Sequence, residues 1–233
     1  MAYIYEHIRT QGYKPLHFEE HFSRLDALAR EFFLAPISIS RKELQRVIGE
    51  RLHKEGFSSK TANAVTVRYH SNGDIEIECV DILYNNFSLR ALHPQVFTCY
   101  LSGELLTANT SAKEAMLELN RTTGDIAEKG VALWVDELNE VVAIDGSSVI
   151  AVFDDDIRFS RLGSGVEFDL AYNAVKEMKR NLSKDKILLE ELKQAKELLY
   201  IDYRGISAVK SFDDTVYMDI TATKIAAKIT EIE

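Results

Sequence analysis

The sequence is short of the residues that mark disulfide frameworks, disordered tails and membrane spans. Its 233 residues include 2 cysteines, 3 prolines and 1 tryptophan. Cys79 and Cys99 lie far apart and lack the spacing of metal ligands, so we interpret both as reduced and structural. No apolar run approaches membrane-spanning length, and the N-terminus lacks a charged start followed by an apolar segment. We therefore expect a cytoplasmic protein with no membrane partner.

Basic residues are scarce relative to acidic ones. The chain has 28 Lys and Arg against 37 Asp and Glu, a formal net charge of −9. This balance argues against nucleic acid as the main partner, although a local basic pocket is compatible with it. A hydrophobic content of 46% and a charged content of 28% are typical of globular proteins. The length suffices for one large domain or two small ones.

Alternation, helical spacing and turn residues predict a mixed first half. Its predicted elements are a strand at 2–9, a short strand at 14–16, helices at 16–34 and 40–56, a hairpin at 64–83 and a strand at 95–101. Ser40 and Glu43 form a capping-box pattern at the start of the second helix. Asn72-Gly73 is typical of a β-hairpin turn. Phe32 and Phe33 belong to the apolar stripe of the first helix, so we expect that face to be buried.

The second half is predicted to hold a β-meander among helices. Its predicted elements are a helix at 111–123, strands at 132–136, 140–145, 149–153 and 157–161, a helix after Gly165 with core positions from Ala171 to Leu182, a short helix at 189–197, strands at 197–203 and 205–209, and a helix at 221–232. Ser111 and Glu114 form a second capping-box pattern. The acidic run 154–156 could bind a cation, but we interpret it as a solvated turn. Trp134, in the first meander strand, is interpreted as a core residue.

The only small, polar and weakly patterned connector covers residues 102–111. It predicts a boundary between an N-terminal α/β domain at 1–103 and a larger C-terminal α/β domain at 104–233. Each half combines a sheet with helices. The predicted fold class is therefore mixed, α+β (α/β mixed), with two domains and a cleft between them.

His21 and Arg24 are three residues apart on the first predicted helix, so they project from nearly the same side. An imidazole beside a guanidinium suits phosphate binding, because Arg makes forked, charge-assisted hydrogen bonds. A solvated surface Arg is the alternative interpretation. His17 lies four residues before His21, but no third ligand is indicated and we expect no metal site.

Several residues, taken with the order of elements, match the pattern of one known family. They are Glu6 on the first strand, Gly12, the His21-Phe-Ser-Arg24-Leu25 run, Arg68 on the hairpin, Lys113 at a helix start, and the meander from Ala132 to Phe153. In these features the chain resembles a divergent member of the class IV aminotransferases, the pyridoxal-phosphate enzymes of fold type IV. That family includes branched-chain and D-amino-acid aminotransferases and 4-amino-4-deoxychorismate lyase.

The resemblance implies a cofactor, a set of site residues and an assembly. Pyridoxal 5'-phosphate would be the cofactor, with Lys113 as the catalytic Schiff-base lysine and Arg24 as a phosphate contact. Asp145 would lie near the ring nitrogen, and Gly165 and Val166 would belong to the phosphate loop. A helix start disfavours an ammonium and lowers the pKa of the amine, which suits Lys113 as a nucleophile. The family also implies a homodimer.

The chain departs from the family at several of these positions. Ala143 occupies the gap-free match to the acidic partner of the ring nitrogen, and Asp145 could substitute only with a shifted register. Glu167 in the phosphate loop would repel a phosphate, and the later phosphate contact at 203–205 is also altered. We therefore predict a pyridoxal-phosphate-dependent enzyme for an amino-acid-like substrate, either lyase-like or an aminotransferase. The alternative is a non-catalytic homologue that has lost the cofactor.

Overall fold

The computed structural model describes residues 1–82, 89–90, 94–101, 104–127 and 130–232. The helices in these ranges are α1 (Phe18–Phe33), α2 (Arg41–Lys54), α3 (Glu104–Thr107), α4 (Ser111–Ala127), α5 (Val166–Glu177), α6 (Ile220–Ile232) and a 3-10 helix (Leu189–Gln194). Among the described residues, no helix combines the length and the apolar character that crossing a membrane requires.

The strands in the described ranges have two to nine residues each. They are β1 (Tyr3–Gln11), β2 (Lys14–Pro15), β3 (Ala62–His70), β4 (Ile75–Val80), β5 (Leu89–Arg90), β6 (Gln95–Tyr100), β7 (Val131–Val135), β8 (Val141–Ile144), β9 (Ser148–Val152), β10 (Ile157–Ser160), β11 (Leu182–Asp185), β12 (Glu197–Asp202), β13 (Gly205–Ala208), β14 (Ser211–Phe212) and β15 (Thr215–Val216). The chain packs into two units, one of residues 1–86 with 108–111 and one of residues 87–107 with 112–233.

The first unit is an antiparallel sheet that packs against two helices. Its strand order is β2-β1-β3-β4, and the core cluster contains residues of both α1 and α2. Leu25 and Ala29 on α1 are 2% and 0% exposed, as the helical spacing predicts. Gly12 joins β1 to β2 with a φ of 58°, and a Cβ there would lie 2.3 Å from the carbonyl oxygen of Ser59, so the turn requires glycine.

The second unit stacks two sheets between two helical layers. The six-stranded sheet has the order β11-β10-β9-β12-β13-β5, and the five-stranded sheet has the order β15-β14-β6-β7-β8. Alternating residues of β9 face opposite ways, since Ile150 packs with α5 and α6 whereas Val149 packs with the five-stranded sheet. On β7, Leu133 faces the other sheet and Trp134 packs with residues of α3 and α4.

Most predicted elements are confirmed, including the hairpin, the meander and the cap of α2. The amide N of Glu43 donates to the Ser40 hydroxyl, and β3 pairs with β4 in antiparallel register around the Asn72-Gly73 turn. The last predicted hairpin residue, Leu83, and residues 102–103 of the connector lie outside the described residues. The boundary between residues 103 and 104 stays a prediction, and the packing units differ from it in residues 87–103 and 108–111.

Three predictions of local structure are wrong. Leu182 does not continue the fifth helix, because α5 ends at Glu177 and Leu182 begins β11, parallel to β10. Phe32 is 46% exposed rather than buried, because only one side of the last turn of α1 meets the core. Asp145 does not continue β8, because it adopts a left-handed φ of 49° at the turn into Gly146.

Candidate active site

A buried carboxylate on β1 organises the polar residues of the first unit. Glu6 is 4% exposed, and its oxygens lie 3.5 Å from Nδ1 of His21, 3.4 Å from Nε of Arg24 and 3.4 Å from Nδ2 of Asn109. Burial by itself raises the pKa of Glu6, but the hydrogen bond and charge of His21 and the charge of Arg24 bring it below its ordinary value of 4.5. Glu6 is therefore a charged anchor for three side chains.

Arg24 is held by its inner nitrogen and leaves its outer nitrogens available. Its Nε contacts Glu6, its side chain is 31% exposed, and Nη1 and Nη2 make no hydrogen bond to another described residue. The two Nη groups of a guanidinium form the fork that pairs with two oxygens of a phosphate or carboxylate. The predicted pairing of His21 and Arg24 on one side of α1 is confirmed, since both contact Glu6.

In the second unit, Lys113 lies in the first turn of α4 and is 7% exposed. Leu117 follows it by four residues and packs against the turn after β8, where a Cβ on Gly146 would lie 2.5 Å from Leu117 Cδ1. Arg121 follows by four more, and its Nε lies 3.0 Å from Oδ1 of Asp145. Residues four apart lie on one face of a helix, so Lys113, Leu117 and Arg121 share a face of α4. Leu117 and Arg121 on this face contact the turn between β8 and β9.

The carboxylate of Asp145 belongs to a network of ion pairs. Arg121 and Arg204 both contact its carboxylate, the second through Nη2 at 3.4 Å. Arg204 also binds Asp202 at 2.6 Å, and Asp202 accepts a hydrogen bond from the Ser147 hydroxyl at 2.8 Å. The charge of Asp202 outweighs burial and raises the pKa of Arg204 above its ordinary value.

Ala143, at the position where the resemblance expects an acid, lies in an apolar cluster. It is 4% exposed and pairs in register with Trp134 on β7, which is 5% exposed and whose Nε1 has no hydrogen-bond partner among the described residues. The predicted core placement of Trp134 is confirmed. Leu117 of α4 joins this cluster, and Leu162, just before the loop that opens α5, packs against it.

The loop at residues 163–165 leads into α5 with a glycine cap. Gly165 is the N-cap residue with a φ of 137°, and Val166 is the first residue of α5 and 5% exposed. The Ser148 hydroxyl donates to the carbonyl of Ser164 at 2.8 Å and accepts from its amide at 3.0 Å, which ties the loop to β9. The backbone amides of a helix start attract anions, although Glu167 adds negative charge to this one.

Lys113, Asp145, Gly165 and Val166 all lie in the second unit, whereas Arg24 lies in the first. The apolar cluster contains residues of α4 and β8 together with Leu162. Lys113 lies on α4, Asp145 follows the last residue of β8, and Gly165 follows Leu162 by three residues. Sequence reasoning missed Arg121 and the role of Arg204. The spacing of Lys113, Leu117 and Arg121 at intervals of four was the available signal for the first. Arg204 carried no comparable signal, because its partner Asp145 is distant in sequence.

The sequence matches no family model and no curated protein. Solved structures do match over almost the whole chain. A candidate 4-amino-4-deoxychorismate lyase from Legionella pneumophila is 13% identical, with 99% of this chain and 91% of that chain covered and a TM-score of 0.81. A branched-chain aminotransferase from Thermoproteus uzoniensis is 15% identical, with coverages of 99% and 84% and a TM-score of 0.80. An aminotransferase from Brucella abortus, solved with pyridoxal phosphate, is 14% identical, with coverages of 99% and 88% and a TM-score of 0.78. The chain therefore has the mixed α/β fold of the fold type IV pyridoxal-phosphate enzymes.

Proposed function

We propose that the chain is a pyridoxal-phosphate-dependent enzyme acting on an amino-acid-like small molecule. Its reaction would be either an amino transfer or a lyase reaction of the 4-amino-4-deoxychorismate lyase type. The observation that carries the proposal is Lys113, which is 7% exposed in the first turn of α4 in a chain with this fold. Lysines are almost never so buried without a specific role or partner.

The donor groups of the chain suit a phosphorylated aldehyde. Arg24 offers two Nη groups to a phosphate while Glu6 holds its Nε, which keeps the fork oriented. Gly165 and Val166 offer backbone amides at the start of α5 to the same kind of group. Lys113 offers the amine that an aldehyde requires. We propose these residues as the contacts of the cofactor's phosphate and aldehyde.

Asp145 remains part of the proposal in a more indirect position. Its carboxylate already binds Arg121 and Arg204, so a direct contact with a ring nitrogen would require exchange of both ion pairs. We propose that Asp145 instead positions the turn against which Leu117 packs, and through it the helix that carries Lys113. The bound cofactor would supply an electron-withdrawing ring.

We also propose that the chain works in the cytoplasm as a homodimer. Cys79 and Cys99 are both free, in keeping with a reducing compartment. Large apolar side chains on the surface, among them Phe32 at 46% and Leu138 at 69% exposure, suit coverage by a second copy. Light scattering measures the state directly, and a monomer at micromolar concentration would remove this part of the proposal.

Covalent labelling tests the proposed function. The protein is incubated with excess pyridoxal phosphate, reduced with borohydride, digested and mapped by mass spectrometry. We expect the label on Lys113 and its loss in Lys113→Ala. Lys42 is the matched control, because it also lies in the first turn of a helix, α2, but is exposed. Label that appears on no lysine, or equally on Lys42, would overturn the proposal and favour the non-catalytic homologue.

A further inference from the structure

The second unit contains a surface cavity of about 540 Å³ that none of the proposed cofactor residues lines. Its walls come from the 3-10 helix, from β6 and the turn between β14 and β15, and from the turn between β7 and β8. No described residue of α4, and none of the loop at 163–165, is part of this lining. A volume of this size is typical of small-molecule sites, so the cavity is a candidate for a second binding site.

Six polar side chains line this cavity, and none of them makes a hydrogen bond or an ion pair with another described residue. They are Thr98, Tyr100, Asn139, Glu190, Lys193 and Asp213. By contrast, Glu191 on the same 3-10 helix does not line the cavity, and it binds Arg158 at 2.9 Å. Unpaired polar side chains on a surface are ordinarily solvated, but here they surround one concave space, which leaves all of them available to one ligand.

The charged groups of the cavity have both signs. Glu190 and Lys193 are three residues apart on the 3-10 helix, which has about three residues per turn, so they lie on the same face. Asp213 adds a second carboxylate from the turn after β14. A phosphorylated ligand would meet two carboxylates, and among the described residues no cluster suits a metal ion. A zwitterion presents a group of opposite sign to each charge, so the lining favours a zwitterion.

The remaining lining is apolar or aromatic. Phe212 is 4% exposed, whereas Leu138 and Tyr100 are 69% and 67% exposed. A ligand side chain that covers the two exposed residues removes their apolar surface from water, which favours binding. The ring of Tyr100 also offers its face or edge to another aromatic ring. These surfaces therefore suit a bulky aromatic group on the zwitterion.

We propose that this cavity binds a free amino acid with an aromatic side chain. The ammonium group of the ligand pairs with the carboxylate of Asp213, its carboxylate pairs with Lys193, and its ring covers Tyr100 and Leu138. None of the proposed cofactor residues contributes, so the amino acid is held here without chemical change. The protein would then have one site for an amino-acid-like substrate at Lys113 and a separate site for an amino acid in this cavity.

Calorimetric titration of the full-length protein with L-phenylalanine at neutral pH tests the inference. We expect one site per chain with a Kd of about 1 mM or below. Lys193→Met and Asp213→Asn should each weaken binding about tenfold, because each removes one charged partner of the ligand. Asparagine adopts the left-handed φ of 48° at position 213 readily, so this variant should keep the turn. Asp214→Asn is the control, because Asp214 is exposed and does not line the cavity.

Two analogues of the ligand connect each charge to its partner. N-acetyl-L-phenylalanine lacks the ammonium group, so it should bind the wild type about tenfold more weakly and be insensitive to Asp213→Asn. L-phenylalaninamide lacks the carboxylate, so it should also bind about tenfold more weakly and be insensitive to Lys193→Met. Equal affinity of the wild type for the three ligands would overturn the proposal, and so would losses in the two variants that are the same for every ligand.

A last titration separates the cavity from the candidate active site. Lys113→Ala, without added pyridoxal phosphate, should bind L-phenylalanine as the wild type does, because the lining excludes α4. Binding that is lost in Lys113→Ala but unchanged in Lys193→Met would place the amino acid at Lys113 and overturn the inference, as would no binding by the wild type up to about 10 mM. Borohydride labelling of Lys113 is measured separately, so this inference and the proposed function can fail independently.

Discussion

The cluster around Glu6 in the first unit and the cluster around Trp134 in the second differ in whether their buried polar atoms have hydrogen-bond partners. Glu6, 4% exposed, is contacted by His21, Arg24 and Asn109, whereas Trp134, 5% exposed, has an N–H that no described residue accepts. A buried charge is stable only when other groups compensate it. Glu6 has such partners, and its contact with Nε of Arg24 orients that side chain. An unpaired donor lowers the stability of the folded protein, because the group loses its hydrogen bond to water without gaining another.

The largest effect is expected from removing the centre of the first cluster. Glu6→Ala leaves His21, Arg24 and Asn109 without their common acceptor, so the free energy of unfolding should fall by about 3–5 kcal/mol. Urea unfolding followed by circular dichroism measures it. Glu50→Ala on α2 is the control, because that side chain is 62% exposed and paired only on the surface, and it should change stability by less than about 0.5 kcal/mol. Equal losses in the two variants would contradict the role of Glu6 as an anchor.

Arg24 should matter more for binding than for folding. Arg24→Met keeps much of the apolar stem but removes the fork, so affinity for pyridoxal phosphate should fall by about 10- to 100-fold. Stability should change by less than about 1 kcal/mol, because the side chain is 31% exposed. Equilibrium dialysis and urea unfolding measure the two quantities. Arg30→Met on the same helix, where the side chain is 61% exposed, should affect neither, and an equal loss of affinity there would refute the assignment.

Acid should weaken the first cluster in a predictable direction. The pKa of Glu6 is lowered below 4.5 in the folded protein, so its stabilising charge is present above pH 4.5 and is lost as the pH falls through the lowered value. The effect should be smaller than that of Glu6→Ala, since a protonated carboxyl still forms hydrogen bonds. Unfolding midpoints from neutral pH down to about pH 3 should fall more steeply in the wild type than in Glu6→Gln. Parallel curves would show that Glu6 titrates alike in folded and unfolded chains.

The smallest effect is expected at the unpaired donor. Trp134→Phe relieves an unsatisfied N–H while it shrinks a buried ring, and these terms oppose each other, so stability should change by less than about 1 kcal/mol. Tyr217→Phe is the matched control in the same unit, because its hydroxyl donates to the carbonyl of Leu192 at 3.0 Å. Loss of this paired group should cost about 1 kcal/mol or more. A larger loss in Trp134→Phe than in Tyr217→Phe would indicate that the indole N–H is satisfied in the free protein.

The sequence correctly predicted the turns and helix ends that a few neighbouring residues determine. Asn72-Gly73 between alternating segments favoured one hairpin, and Ser40 with Glu43 marked the start of α2, because turn and cap preferences act over a few residues. Leu182 was wrongly assigned to the fifth helix. The spacing of apolar residues does not show that the helix ends at Glu177 or that Leu182 pairs with β10. The exposure of Phe32 depended on which part of the last turn of α1 meets the core.

For this protein, the sequence by itself determined the order of strands and helices, the placement of His21 beside Arg24, and the position of Lys113 at a helix start. These features follow from periodicity and capping, which neighbouring residues set. Only the tertiary structure decided that Asp145 follows β8 in a turn where it binds Arg121 and Arg204. It also decided that Trp134 pairs with Ala143 and keeps an indole N–H that no described residue accepts. Such contacts join residues distant in the chain, and burial then sets their energies by removing the water that would otherwise satisfy each polar atom.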